Sequence, residues 1–178
     1  RLLRTQFRLD DLEQKTRMEN LRISGLPEPQ GEETESEETL SGKVCKLAGV
    51  AGATLHPDDI SSCHRLGKPA VSGGKTRQII VRFAARKRRD ALYDARYQLK
   101  GKDDYRRVYI NEDLTPLRYA VLMTAKKAPS VKGATTKHGA IVCKMHDDRH
   151  TVIRTPDDLF DIGLDNVDYN QFKHPLIA

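Results

Sequence analysis

Four short stretches of this chain alternate apolar and polar residues, and two stretches of helical spacing fall between them. Leu21 to Leu26, Ile60 to Arg65, Arg77 to Phe83 and Arg107 to Ile110 read as strands, because side chains two apart share a face. Ser36 to Ala48 carries Leu40, Val44, Leu47 and Ala48 at helical spacing, with Ser36 as the N-cap and acidic residues in the first turn. Arg86 to Leu99 carries Leu92, Ala95 and Leu99 in the same way. The order strand, helix, strand, strand, helix, strand predicts a ferredoxin-like βαββαβ sandwich, with helices on one face of the sheet and the other face open. A chain of 178 residues with 38% hydrophobic content has room beside it for a second small module.

Alternation also assigns the faces. If Leu21 and Ile23 point at the helices, Arg22 and Ser24 point away. Ile79, Val81 and Phe83 then take the core and leave Gln78, Ile80 and Arg82 outside, while Val108 and Ile110 go in and Arg107 and Tyr109 go out. The formal charge is only +6, but residues 77 to 107 hold eleven Lys or Arg against four Asp, a local excess of +7. Acidic residues gather instead at Glu32, Glu33, Glu35, Glu37 and Glu38, and between Asp157 and Asp168. A guanidinium forks onto phosphate oxygens and stacks on bases, so Arg22, Arg82, Arg107 and Tyr109 suit a single-stranded nucleic acid laid across the sheet. Ordinary solvated arginines are the alternative. The run Arg86, Lys87, Arg88 and Arg89 favours the nucleic acid, and Arg17 joins the basic candidates from the preceding helix.

Residues 1 to 19 lack Gly and Pro and place Leu2, Leu9 and Leu12 at a and d positions of a heptad, as in the end of a coiled coil. Thr5, Thr16 and Glu19 are poor seam residues, so this stub is expected to assemble weakly without further heptads, and a frayed, solvated helix is the other reading. Opening on Arg1 within a helical pattern, the chain reads as a fragment, and the lack of a targeting signal carries no weight. Beyond the sandwich, Thr115 caps a helix that begins with Pro116. Gly133 to Gly139 reads as turn, Ala140 to Met145 and Thr151 to Arg154 as a hairpin, and Thr155-Pro156-Asp157-Asp158 as the cap of a short helix. The expected division is 1–19 coil, 20–112 sandwich, 113–164 a small C-terminal α+β nucleic-acid-binding domain and 165–178 tail.

Cys45, Cys63 and Cys143 are odd in number and far apart, which argues against a disulfide framework and for a reducing compartment. No apolar run approaches a membrane span. Ser72-Gly73-Gly74-Lys75-Thr76 has the ending of a phosphate loop, but Pro69 stands where its first glycine belongs and a strand follows instead of a helix. Cys143, His146 and His150 have ligand-like spacing without an evident fourth ligand, so a hairpin is the expectation and zinc is not. No nucleophile with a base and no carboxylate cluster stands out. The expectation is a non-enzyme without metal or cofactor.

The sandwich is close to an RNA recognition motif but atypical. Arg22 occupies the first-strand position where that motif has an aromatic, and Gln78 and Ile80 occupy the two third-strand positions, so phosphate contact is expected to outweigh base stacking and sequence selectivity to be low. Asn20-Leu21-Arg22-Ile23-Ser24-Gly25-Leu26-Pro27-Glu28, His64-Arg65 and Arg77 to Phe83, after the coil, resemble the first-open-reading-frame RNA-binding protein of LINE-type, non-LTR retrotransposons. Arg8-Leu9-Asp10-Asp11-Leu12-Glu13 is similar to a trimer signature in which Arg8 and Glu13 pair between strands over Leu9 and Leu12. Val108 to Pro116, with Thr155 to Leu159, also resembles related invertebrate retroelement proteins and the baculovirus few-polyhedra protein.

The resemblance implies a homotrimeric nucleic acid chaperone that binds single-stranded RNA and DNA and coats its element's RNA into ribonucleoprotein particles, cytoplasmic with nuclear access. By position it adds Arg65, Arg77 and Arg118 to the binding residues, with Lys126 and Lys127 one turn beyond the place of the family's paired arginines. The alternative is an oligomeric viral or structural scaffold whose basic face meets protein partners.

Overall fold

The computed structural model describes residues 2–29, 35–68, 76–154 and 157–164. Glu32, Glu33, Ser72 to Lys75, Thr155, Pro156, the tail 165–178 and the side chain of Leu2 lie outside the described residues. The chain is α+β with two antiparallel sheets. It divides into two compact units, one of residues 19–113 and one that joins residues 1–18 to residues 114–178.

The middle unit contains β1 (Asn20–Ser24), α2 (Glu37–Ala51), β2 (Ile60–Arg65), β3 (Ile79–Phe83), α3 (Arg86–Ala95) and β4 (Tyr109–Glu112); α1 precedes it. Its strands lie side by side in the order β2-β3-β1-β4, every neighbour antiparallel. Leu21, Ile23, Ile79, Val81, Phe83, Cys63, Val108 and Ile110 pack with Leu40, Val44, Leu47 and Ala48 of α2 and with Leu92 of α3 in one buried core. Both helices therefore cover one face of the sheet, as the alternation requires. The Ser36 side chain accepts the Thr39 amide at 3.1 Å and caps α2, and Gly52 closes it at φ 84°. Several boundaries differ from expectation: β1 ends at Ser24, α2 runs on to Ala51, β3 begins at Ile79, a 3-10 turn (Arg96–Gly101) continues α3, and β4 lies two residues later than its sequence reading.

Gly25 holds β1 against the chain entering β4. Its φ is +88°, and a Cβ there would meet the Arg107 carbonyl oxygen at 2.0 Å. Only glycine fits both conditions.

The second unit contains α1 (Leu2–Arg17), α4 (Pro116–Ala125), β5 (Val131–Lys137), β6 (Ala140–Met145), β7 (His150–Ile153) and a 3-10 turn (Asp157–Ile162). Its core joins Phe7 of α1 to Val121, Leu122, Ala125, Ile141, Cys143, Ile153, Leu159 and Ile162. The sequence reading treats 133–139 as turn, whereas β5 runs through most of it. The turn is confined to His138 and Gly139, at φ 50° and 73°, the paired positive values of a tight hairpin. A bulge at Lys132 disturbs the alternation that would have announced this strand.

The first helix has two different long faces. Phe7, Asp10 and Gln14 are buried within the second unit, whereas Leu9 and Leu12 are exposed. Asp10 accepts the Thr115 hydroxyl and, at 2.6 Å, Arg118 Nε; Gln14 accepts the Thr115 amide at 3.0 Å. A heptad reading weighs apolar residues and so passes over this polar stripe. Helix α1 thus belongs with the C-terminal segment, where the sequence reading sets it apart as a separate coil.

Candidate nucleic-acid interface

The register of the first sheet fixes the open face row by row. His64 of β2, Ile80 of β3, Arg22 of β1 and Asn111 of β4 stand side by side. Ser62, Arg82 and Asn20 make the next row, and Ser24 with Tyr109 lie on the other side. Same-face neighbours stand about 7 Å apart along a strand and about 5 Å apart across strands. Arg22 therefore sits on an inner strand with Arg82 and Tyr109 diagonally on either side.

The arginines on this face differ in how firmly they are held. Arg82 is 58% exposed and pairs with Glu19 at 3.6 Å, across a longer gap than in the other arginine pairs described below. Arg22 donates through Nε to Asp113 at 2.6 Å. Arg107 and Tyr109 are exposed where the chain enters β4. Beyond β3, Arg86 and Lys87 are exposed and Arg88 meets Asp59 at 3.1 Å. They occupy the first turn of α3, which has no side-chain cap and no acidic residue. Cations at the positive end of a helix dipole cost stability, and a bound anion would offset that cost.

Several sequence candidates are structural. Arg89 is 2% exposed and its Nη2 donates to Glu112 at 2.5 Å; Glu112 is 1% exposed. It is a core ion pair on the helical side of the sheet, because Arg89 falls on the inward stripe of α3 with Leu92 and Tyr93. Arg65 is buried, and its five N–H donors reach Glu35 twice and the carbonyls of Leu26, Pro27 and Arg77. That satisfies the guanidinium fully and leaves no edge for a phosphate. Arg77 donates to Glu28 at 2.8 Å through Nε and reaches it again through Nη2 at 2.6 Å. The same hydrogen bonds hold the Glu28 carboxyl below its ordinary range.

In the second unit Arg118 is committed to Asp10, Asp11 and the Gly139 carbonyl. Arg17 pairs with Glu13 at 2.6 Å one helical turn away, which takes Glu13 into a contact along its own helix. Arg8, Leu9 and Leu12 are exposed on α1. Lys126 and Lys127 are exposed just past α4, where the dipole favours cations.

Cys143 faces the core of the second unit, while His146 and His150 are exposed around the β6–β7 turn. Among the described residues no group of three His, Cys, Asp or Glu side chains could hold a metal ion. Burial pushes all three thiols up, Cys63 to about 12, so none is a ready thiolate. Among the described residues no helix is long and apolar enough to cross a membrane.

Asp113, Asn20, His64 and Asn111 share the open face and are not among the binding residues that the sequence reading names. Continuing the alternation of the fourth strand past Ile110 places Asn111 and Asp113 there, and that continuation is the signal that was present.

The architecture defines a chain of α+β class whose first sheet is covered by helices on one side and carries arginines on the other. No protein-family model matches the chain, and no curated protein matches its sequence.

Proposed function

We propose that this chain is a non-enzymatic, single-stranded nucleic-acid-binding protein that binds RNA and DNA mainly through phosphates with low sequence specificity. The reading is carried by the open sheet face, where Arg22, Arg82 and Tyr109 cluster and Arg82 stays 58% exposed beside a partly exposed Glu19 at 3.6 Å. The element order and the strand order β2-β3-β1-β4 support an RNA-recognition-motif-like unit. Replacing the motif's aromatics by Arg22, Gln78 and Ile80 shifts binding from bases to backbone, with Tyr109 as the one stacking platform.

Weak, exchangeable phosphate contacts suit a nucleic acid chaperone. With the resemblance described above, this favours a retrotransposon-encoded protein that coats its element's RNA. The exposed Leu9 and Leu12, turned away from the polar stripe that fastens α1, support self-association of that helix into a homotrimer, which would raise avidity by linking several interfaces.

The test is the affinity of the chain for a labelled single-stranded RNA across a salt series. A phosphate-driven complex weakens with a log-log slope of about −0.7 per phosphate neutralised. Replacing Arg82 and Arg107 by alanine is expected to flatten the slope by roughly 1.4, two such contacts. Salt-insensitive or absent binding overturns the proposal and turns the search to a scaffold with protein partners.

A further inference from the structure

A buried carboxylate lies beside this cationic face, at the end of the edge strand β4. Asp113, immediately after β4, is 2% exposed and accepts Arg22 Nε at 2.6 Å on one oxygen and Asn20 Nδ2 at 3.0 Å on the other. Arg22 keeps 35% of its side chain exposed. None of the described residues accepts from its Nη1 or Nη2. A negative charge beside the lane of a polyanion opposes binding, so its placement calls for a compensating role.

We propose that Asp113 is a positioning residue: it holds Arg22 by the Nε edge and leaves both terminal amino groups to fork onto one phosphate of the bound strand. The inference rests on the nucleic-acid reading above and names a group within that site. Arg22 suits the task because a guanidinium has an edge to anchor and a fork to present, which a lysine ammonium lacks. Anchoring also moves the loss of rotamer freedom from binding to folding, so less of it opposes the complex. Asn20, two residues earlier on β1, steadies the second carboxylate oxygen. Glu19 is the contrast: it meets Arg82 at 3.6 Å, with both side chains well exposed, and fixes no edge.

The two roles a carboxylate can play here have opposite signs. As a mere neighbouring charge, its removal strengthens binding to a polyanion; as an anchor, its removal weakens it. Affinity of the full chain for fluorescein-labelled oligouridylate is measured across a salt series, with a circular-dichroism melt of each variant. Glu19→Gln is expected to raise the affinity. Asp113→Asn is expected to lower it about five- to ten-fold, on the order of one net hydrogen bond, and to flatten the salt slope by about 0.7. Arg22→Ala should give the same loss, and adding Asp113→Asn to it should cost nothing further.

Arg22→Lys keeps the charge on an exposed side chain and does not depend on Asp113→Asn folding; it should bind as poorly as Arg22→Ala. Wild-type affinity for Arg22→Lys, or affinity at or above wild type for a folded Asp113→Asn, overturns the inference. If the wild-type chain binds with a steep slope that Arg82→Ala reduces while Asp113→Asn strengthens binding, this inference alone fails. If the wild-type chain does not bind, the underlying reading fails with it.

Discussion

Replacing Arg89 separates a structural arginine from a binding one. Its guanidinium is 2% exposed, donates to Glu112 at 2.5 Å and to Asp90 at 2.7 Å, and has no partner for Nε among the described residues. Burial by itself would lower its pKa, but the bonds to Glu112 and Asp90 raise it above the ordinary value, so the guanidinium stays charged. Arg89→Met takes the guanidinium away from the carboxylate of Glu112, which is 1% exposed, and breaking a buried pair from one side costs about 3–5 kcal/mol. Against a typical domain stability of about 5–15 kcal/mol, that is a large share.

Glu112→Met should cost less, about 1–3 kcal/mol, because Arg89 keeps its bond to Asp90. The double variant exchanges an ion pair for two apolar side chains of similar volume and should recover most of the loss, giving a coupling energy of about 2 kcal/mol or more. Urea unfolding followed by circular dichroism measures the cycle. The salt slope of RNA binding for the folded double variant should equal that of the wild type. A stable Arg89→Met protein with a flatter slope would refute the reasoning, because Arg89 would then be reaching phosphate.

Acidification supplies a second test. Burial raises the Glu35 pKa, but hydrogen bonds from Arg65 and Lys43 more than offset this and leave it below its ordinary value of 4.5; Glu28 is lowered in the same direction by Arg77. Their contribution to stability should be complete above about pH 4.5 and fall away as pH drops through the lower folded values, with Glu35→Gln blunting the trend in the urea midpoint. Gly25→Ala must fit a Cβ against the Arg107 carbonyl at φ +88°, and should lower unfolding stability by on the order of 2–3 kcal/mol. Leu9→Ser with Leu12→Ser should reduce any concentration-dependent association seen by sedimentation while leaving the thermal melt nearly unchanged, since both side chains are exposed; an unaltered association would remove this face from assembly.

The sequence was most legible where a short-range period decides the outcome. Leu21 and Ile23, Ile79, Val81 and Phe83, and Val108 and Ile110 are buried as their alternation predicts, and Arg22, Arg82 and Tyr109 face the other way for the same reason. It was least legible where charge meets distance along the chain. Arg89 and Arg88 look alike as neighbours in a basic run, yet one turns inward onto a carboxylate 23 residues away while the other stays exposed. Arg65 likewise finds Glu35 thirty positions upstream, and Arg22 finds Asp113 ninety-one positions downstream. Counting cations cannot tell a ligand-seeking arginine from a satisfied one, because the difference lies in where the acid falls after folding. Asp10 and Gln14 were hidden for a related reason: their burial depends on Thr115 and Arg118, which no local pattern near α1 reveals.

The pairing of Leu21 with Glu112 brings the first and last strands of the middle unit side by side. Residues 19 to 113, 95 in all, therefore leave and rejoin the rest of the chain through adjacent doorways, like a cassette spliced into a host. While the cassette is folded, the host's two separated segments are joined by what amounts to a short tether. Melting it replaces that tether with a loop whose closure opposes the host by about 4 kcal/mol from the logarithm of its length. The α1–C-terminal unit should thus lose stability when the middle unit melts, even with every one of its own contacts intact. Conversely, a few flexible residues bridging Met18 to Leu114 should let the host fold without its cassette.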